Sequence, residues 1–159
     1  MVDSDEFRRV MGNFAAGVTV VTLPDPDHGI TVNAFASVSL SPMLVLICID
    51  HDTDAYERLE GDADGYCVNL LAGDQRHLGE HFAGMRELDA SPFETEATRE
   101  APSGSAVFEE ALGYIDTTVE AAHEAGDHTV YIGRVEEVDI HRPEAPALTY
   151  FRGDWGQVD

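Results

Sequence analysis

The sequence predicts an all-β fold, an antiparallel barrel or sandwich with a few short helices at its periphery. Many short runs rich in β-branched and aromatic residues are separated by turns that contain Gly, Pro and Asp. These runs do not alternate with crossover helices, and neither G-x-G-x-x-G nor G-x-x-x-x-G-K-[ST] occurs, which argues against a βαβ fold. A length of 159 residues with 43% hydrophobic residues fits one domain over 1–159.

The chain is predicted to begin with a short amphipathic helix. Ser4 is a suitable N-cap, and the acidic residues that follow it are favourable in a first turn. The helix is expected to end at Gly17. Four apolar residues recur at helical spacing and would share one face, namely Phe7, Val10, Met11 and Phe14.

A β-hairpin and a central strand are predicted next. β-Branched residues over 18–23 and 30–33 indicate two paired strands on either side of the turn-rich segment 24–29. Segment 34–41 is small and polar. The apolar run 43–49 has the length of a strand and is predicted to be central.

The second half continues with short elements. A helix is predicted over 53–59, and another begins after Asp74 with Leu78 and Phe82 on one face. The polar segment 84–105 shows weak periodicity and is expected to be an excursion loop or a lid. Four further strands complete the prediction, at 66–71, 112–121, 128–139 and 147–151.

Charge excludes several classes of partner. The net charge of −22 comes from 31 acidic residues against nine basic ones, all of them arginine. Nucleic acid and anionic membrane surfaces both need a basic footprint, so neither is expected. An acidic surface around an apolar core indicates a folded protein adapted to high salt, where the Debye length falls to about 3 Å at 1 M. We therefore predict a halophilic protein.

The chain is predicted to be cytoplasmic. Its acidic N-terminus does not resemble a signal peptide, and no apolar run approaches the ~18 residues of a membrane span. Cys48 and Cys67 both lie within apolar, strand-like runs and are expected to be reduced thiols.

One segment indicates ligand binding. The strand at 30–33 leads into small hydroxyl-bearing residues, among them Ser37 and Ser39. Such residues leave backbone N–H groups accessible and allow a planar or phosphorylated ligand to approach closely. The alternative is a serine-rich loop that solvates itself.

Five blocks in the same order carry a family resemblance. They are 7–22, 31–39 followed by Pro42, 66–75 with Phe82-Ala83, 126–129 with 132–135, and 148–153. Together they resemble the flavin reductase family, whose fold is the FMN-binding split β-barrel with Greek-key antiparallel strands. The blocks cover nearly the whole chain, and their ordered combination is more specific than any one of them.

The resemblance implies a homodimer with flavin near the subunit interface, and hydride transfer from NAD(P)H to FMN or FAD. Residues of the second block would contact the flavin: Thr31, Val32, Asn33 and Ala34 along the isoalloxazine ring, and Ser37, Val38 and Ser39 at its polar edge, ribityl chain or phosphate.

Other matching positions complete the implied site. Where the family often has a basic residue and a hydroxyl after the central strand, this chain has Asp50-His51-Asp52-Thr53. His51 would replace the cation, and Thr53 would serve the phosphate. His128 would face the nicotinamide as a positioning group, since the cofactors carry the hydride chemistry; a surface-turn histidine is the alternative. The remaining implied contacts are Phe82, Tyr150 and Arg152.

A rival motif points to zinc. Residues His77-Leu78-Gly79-Glu80-His81 fit H-x-x-E-H on a predicted helix. That site needs a third ligand, and Gly79 weakens the helix by about 1 kcal/mol. Solvated histidines are the better interpretation, so no metal is predicted.

The predicted function is that of an NAD(P)H:flavin oxidoreductase that supplies reduced flavin to a monooxygenase. A flavoredoxin-like, FMN-binding electron-transfer protein without nicotinamide turnover is the alternative. A split-barrel oxidase acting on a small phosphorylated substrate is disfavoured because the chain has no lysine and few arginines.

Overall fold

The computed structural model describes residues 1–159 and confirms the all-β prediction. The helices are α1 Ser4–Met11, α2 Asp54–Glu60, α3 Arg76–Phe82 and α4 Pro92–Thr95, with a 3-10 turn at Gly73–Gln75. The strands are β1 Ala16–Gly17, β2 Thr19–Leu23, β3 His28–Val32, β4 Phe35–Leu40, β5 Met43–Asp50, β6 Gly65–Leu70, β7 Thr98–Glu100, β8 Ala106–Phe108, β9 Gly113–Ala125, β10 His128–Ile140, β11 Ala147–Phe151 and β12 Asp154–Val158.

Seven strands form an antiparallel barrel in the order β3-β2-β6-β9-β10-β5-β4. Only Asn33 and Ala34 separate β3 from β4, so the two edge strands belong to one bent segment of chain. The Cys48 N–H donates to the Ala34 carbonyl oxygen at 3.1 Å, which joins the bend to β5 and closes the barrel. A smaller sheet, β1-β11-β12, lies outside it.

The apolar core has two main parts, and β2 lies between them. All five residues of β2 are buried because alternate side chains point into different clusters. One cluster fills the barrel and includes Val21, Ile47, Tyr66, Val68 and Tyr131. The other joins the barrel to α3 and the small sheet and includes Val20, Leu71, Leu78, Phe108 and Leu148.

Helix α1 differs from the prediction at both ends. Its N-cap is Asp3, one residue earlier than Ser4, because the Asp3 carboxylate accepts the N–H groups of Asp5 and Glu6. The helix ends at Met11, well before Gly17, since the following chain forms β1 against β11. The predicted apolar face exists but is not covered. Its exposed fractions are 60% for Phe7, 70% for Val10, 49% for Met11 and 75% for Phe14.

Segment 84–105 is not the featureless excursion that the sequence predicts. It contains α4 and β7, and β7 pairs with β8. The Phe93 ring stacks on Phe108 with centroids 5.6 Å apart. The Ser103 hydroxyl donates to the buried Asp116 carboxylate at 2.6 Å. These contacts anchor the segment to the barrel.

Three further local predictions were wrong or incomplete. Strands β8 and β12 were not predicted, because β8 has only three residues and β12 contains Asp154 and Gly156, which are depleted in strands. Asp74 does not cap α3; it lies within the 3-10 turn, and Gln75 precedes the helix. Both cysteines are free, as expected. None of the helices has the length and apolar character to span a membrane.

Candidate functional site

An apolar pocket of about 460 Å³ lies outside the barrel where β3 bends into β4. This volume is within the roughly 300–1,000 Å³ range of small-molecule sites. The pocket contains four of the predicted site residues, Asn33, Ala34, Tyr150 and Arg152.

Strand β5 supplies one wall by alternation. Val45, Ile47 and Ile49 are buried on the barrel side, while Leu46 and Cys48 face outward into the pocket. Burial raises the pKa of the Cys48 thiol, so it remains a neutral part of this wall. Leu46 and Cys48 were not predicted as site residues, because a continuous apolar run hides the two faces of a strand.

Helix α1 and the chain after it supply the opposite wall. Met11 and Phe14 line the pocket, and both belong to the predicted apolar face of the helix. The amphipathic pattern identified these side chains, but one sequence does not reveal what a helix face packs against. They were therefore missed as site residues.

Two polar side chains remain available at this pocket. The Asn33 amide makes no hydrogen bond within the chain and is exposed. The Arg152 Nε donates to the Asn13 Oδ1 at 2.8 Å, and its guanidinium lies 4.7 Å from the centre of the Phe151 ring. These contacts hold Arg152 at the pocket while its two terminal nitrogens have no partner. The site therefore combines apolar walls with an amide and a cation.

A second pocket of about 410 Å³ contains the predicted residues Thr31, Thr53 and Phe82. The Thr31 hydroxyl donates to the Gly79 carbonyl oxygen at 2.6 Å, which ties β3 to α3. The Phe82 ring packs so closely on Gly29 that a Cβ there would lie 2.7 Å from the ring. Thr31 and Phe82 thus have structural contacts already.

His28 lies in this second pocket as well. Burial lowers the pKa of His28, and the positive charge of Arg58 lowers it further. The ring is therefore held neutral and adds no positive charge for a phosphate.

His51 and Thr53 make internal contacts. The His51 Nε2 lies 2.9 Å from the Thr129 Oγ1, and its ring packs on Tyr56 with centroids 4.5 Å apart. The Thr53 hydroxyl donates to the Asp50 carbonyl oxygen at 2.7 Å and accepts the Tyr56 N–H at 3.2 Å. Aspartates flank both residues along the chain, at Asp50, Asp52 and Asp54. This corner has the wrong charge for an anion.

His128 lies at the same corner. It is opposite Asp50 in the β5–β10 register, and the His51 N–H donates to the Asp127 carbonyl oxygen at 3.0 Å. The His128 Nδ1 is 2.7 Å from the Asp127 Oδ1, and this hydrogen bond lowers the pKa of the Asp127 carboxyl group. The structure therefore brings His51 and His128 together.

The other predicted flavin contacts lie along the β3–β4 segment. Ser37, Val38 and Ser39 belong to the edge strand β4, which pairs only with β5, and the pairing shifts at Val38. Ser37 and Val38 are exposed. The Val32 side chain is only 5% exposed and packs in the barrel core, so a ligand can reach only its backbone.

The H-x-x-E-H motif does not form a metal centre. The His77 Nε2 contacts the Glu96 Oε1 at 2.9 Å, and the His81 ring packs edge-on against Phe82. No group of three or more His, Cys, Asp or Glu side chains is arranged to hold a metal ion.

Comparisons with known proteins identify the family. Residues 11–159 match the flavin reductase like domain. The chain is 40% identical over 158 residues to an NADH-dependent flavin reductase of a Rhodococcus species, covering 96% of this chain and 85% of the relative. It is 34% identical over 161 residues to the reductase subunit of a flavin-dependent monooxygenase from Mycobacterium tuberculosis, covering 99% and 84%.

A solved structure agrees in fold. The flavin reductase PheA2 superimposes with a TM-score of 0.90 at 38% identity, covering 99% of both chains. The matched range includes every predicted site residue and all of the barrel. The chain therefore belongs to the flavin reductase family.

Proposed function

We propose that this protein is an NAD(P)H:flavin oxidoreductase that binds flavin at the apolar pocket beside the β3–β4 bend. The observation that carries the proposal is the pocket itself, in which apolar walls meet the free Asn33 amide and the Arg152 guanidinium. A planar, conjugated ring with a polar edge and a phosphate fits that combination. The relatives named as flavin reductases support the same reaction.

The residues of the pocket suit a flavin. Ala34 and Ala36 leave room close to the backbone, and Leu46 and Cys48 present a flat outward face of β5. The unpartnered Asn33 amide can donate to and accept from a polar ring edge. A bound flavin supplies the hydride-accepting chemistry, while the protein supplies stacking and orientation.

The chain's own side chains then have limited tasks. Met11 and Phe14 supply part of the apolar wall of the pocket. His128 orients the nicotinamide through a hydrogen bond, and Asp127 fixes the His128 ring. No strong acid or base is needed, because hydride transfer moves no proton through the protein.

The two substrates have proposed identities. We propose FMN or FAD as the flavin and NADH as the electron donor, since one relative is named NADH-dependent. A monooxygenase is the proposed recipient of reduced flavin, because another relative is the reductase subunit of such a system. The cytoplasm, where NADH is available, is the proposed location.

The protein is proposed to act as a homodimer with one domain per protomer over 1–159. Helix α1 presents Phe7, Val10 and Met11 to solvent, Phe14 is exposed just after it, and a second copy would bury all four side chains. Helix α1 lies almost entirely before residue 11, where the match to the family begins. Its C-terminal end is nevertheless tied to the turn between β11 and β12, because the Arg152 N–H donates to the Gly12 carbonyl oxygen at 2.9 Å.

NADH oxidation with and without added FMN or FAD tests the proposal. The assay is run in high-salt buffer, in keeping with the proposed halophilic origin, and follows the loss of NADH absorbance. Turnover that depends on added flavin is expected. A protein that retains its flavin through dialysis but oxidises no NADH would instead indicate an electron-transfer protein and overturn the proposal.

A further inference from the structure

The distribution of positive charge singles out one arginine. The chain has nine arginines and a net charge of −22. Six of the nine lie within 4.0 Å of a carboxylate oxygen, and these are Arg8, Arg76, Arg86, Arg99, Arg134 and Arg142. Arg58 donates instead to the carbonyl oxygens of Pro24 and Pro26. Only Arg9 and Arg152 have neither kind of partner for their terminal nitrogens.

Arg152 is held in place, whereas Arg9 extends from α1 without a side-chain contact. The Asn13 side chain links the two: its Nδ2 donates to the Arg9 carbonyl oxygen at 2.8 Å, and its Oδ1 accepts from the Arg152 Nε at 2.8 Å. The Arg152 guanidinium also lies over the Phe151 ring, 4.7 Å from its centre. Asn13 is therefore a positioning residue for a cation at the rim of the apolar pocket.

The backbone at Arg152 also argues for a role of the side chain. Its φ is +52°, next to Gly153 at +78°, in the tight turn between β11 and β12. Glycine and asparagine adopt this conformation more readily than arginine. An arginine in this position, in a chain with few cations, is better explained by its guanidinium than by the turn.

The competing phosphate position is poor. The corner that contains His51 and Thr53 is flanked by Asp50, Asp52 and Asp54. Arg58, which follows on α2, is engaged with the carbonyl oxygens of Pro24 and Pro26. The Thr53 hydroxyl has both its donor and an acceptor site engaged within the chain. A phosphate there would be repelled by these carboxylates.

We propose that Arg152 is the phosphate anchor of this enzyme, binding the phosphate of a nucleotide whose ring lies in the apolar pocket. The inference rests on the proposed function and deepens it. Two terminal nitrogens of a fixed guanidinium match two phosphate oxygens, which is the geometry of a bidentate contact. The phosphate belongs either to the flavin or to the nicotinamide dinucleotide.

Equilibrium binding by calorimetry distinguishes the two sources. The probes are FMN, riboflavin, which lacks the phosphate, and ADP-ribose, which keeps the pyrophosphate but lacks nicotinamide. The variants are Arg152→Gln and Arg152→Asn, the second of which suits a positive φ and preserves the turn. Arg8→Gln is the matched control, because it removes one exposed guanidinium from α1 and changes the net charge equally.

The expected result is a loss of affinity of about tenfold or more for one phosphate-bearing probe in both Arg152 variants. Both Arg152 variants should bind riboflavin as tightly as the wild type does. The Arg8→Gln protein should bind all three probes with wild-type affinity. Loss for FMN assigns the flavin phosphate, and loss for ADP-ribose assigns the dinucleotide.

If both Arg152 variants bind FMN and ADP-ribose as tightly as the wild type does, Arg152 is not the phosphate anchor. Flavin-dependent NADH oxidation by the wild type, measured in parallel, would leave the proposed function intact in that case. A wild type that neither binds the probes nor oxidises NADH would overturn both.

Discussion

Replacing Thr31 by valine tests whether the Thr31 hydroxyl has a structural role or contacts the flavin. The Thr31 hydroxyl donates to the carbonyl oxygen of the buried Gly79 at 2.6 Å, and this bond connects β3 to α3. Valine has nearly the same shape but no hydroxyl, so the Gly79 carbonyl would lose its side-chain donor. The carbonyl would keep the Ala83 N–H as a donor at 3.2 Å, so the change removes one hydrogen bond without leaving the oxygen unpaired. Such a loss costs about 0.5–1.5 kcal/mol.

The expected loss of stability is large enough to be measured by thermal unfolding. For a chain of this length, the loss of about 1 kcal/mol lowers Tm by about 2–4 °C. Thermal unfolding of Thr31→Val without flavin should show this decrease. Thr31→Ser keeps the hydroxyl and serves as the control, with a smaller decrease from the lost methyl group.

Flavin binding completes the test. If the hydroxyl is engaged by Gly79, the Kd of Thr31→Val for FMN should stay close to that of the wild type. An unchanged Tm together with an FMN affinity reduced tenfold or more would refute the reasoning. That outcome would mean that the hydroxyl turns toward the flavin, as the family resemblance implies.

Three further changes have defined outcomes. Burial raises the pKa of Asp116 in the folded protein, although Ser103 donates two hydrogen bonds to its carboxylate. The protonated Asp116 side chain therefore contributes stability that is fully present below its pKa in the unfolded chain and is lost as the pH rises through its pKa in the folded protein. Asp116→Asn should flatten this dependence in denaturant unfolding from acidic to neutral pH, and an unchanged slope would contradict it. Replacing Phe7 and Phe14 by serine should halve the mass seen by light scattering, and a monomeric wild type would rule out that interface. His128→Ala should lower kcat/KM for NADH about tenfold at unchanged stability, since it removes one hydrogen bond to the substrate.

The barrel was predictable because its strands are locally consistent. The hairpin of β2 and β3 has β-branched residues on both sides of a turn-rich segment, and its register follows directly. The long pair of β9 and β10 is similarly marked by the Gly126 turn, where φ is +66°. Strand β8 has three residues and pairs with the nearby β7. Its place against the barrel depends on hydrogen bonds with Thr22 and Asn69, which are distant in sequence, so no local pattern predicts it.

The site was predictable only in part. The resemblance placed Asn33 and Arg152 in one site, and the structure brings them to one pocket. It also placed Thr31 there, but the partner of its hydroxyl, Gly79, is 48 positions away along the chain. Which side of β5 faces the pocket likewise depends on barrel closure. Tertiary contacts of this kind decide whether a polar side chain is free to bind a ligand.

The salt dependence of the KM for NADH measures how the net charge of the protein affects substrate binding. The protein carries −22 and NADH is an anion, so long-range repulsion should reduce encounter at low salt. The Debye length is about 10 Å at 0.1 M and about 3 Å at 1 M, so added salt removes that repulsion before it weakens a direct guanidinium–phosphate contact. The KM for NADH should therefore fall as KCl rises toward molar concentration. Steady-state kinetics across a KCl series measures this. A KM that rises steadily from the lowest salt would show that direct ion pairing, and not the overall field of the protein, controls NADH binding.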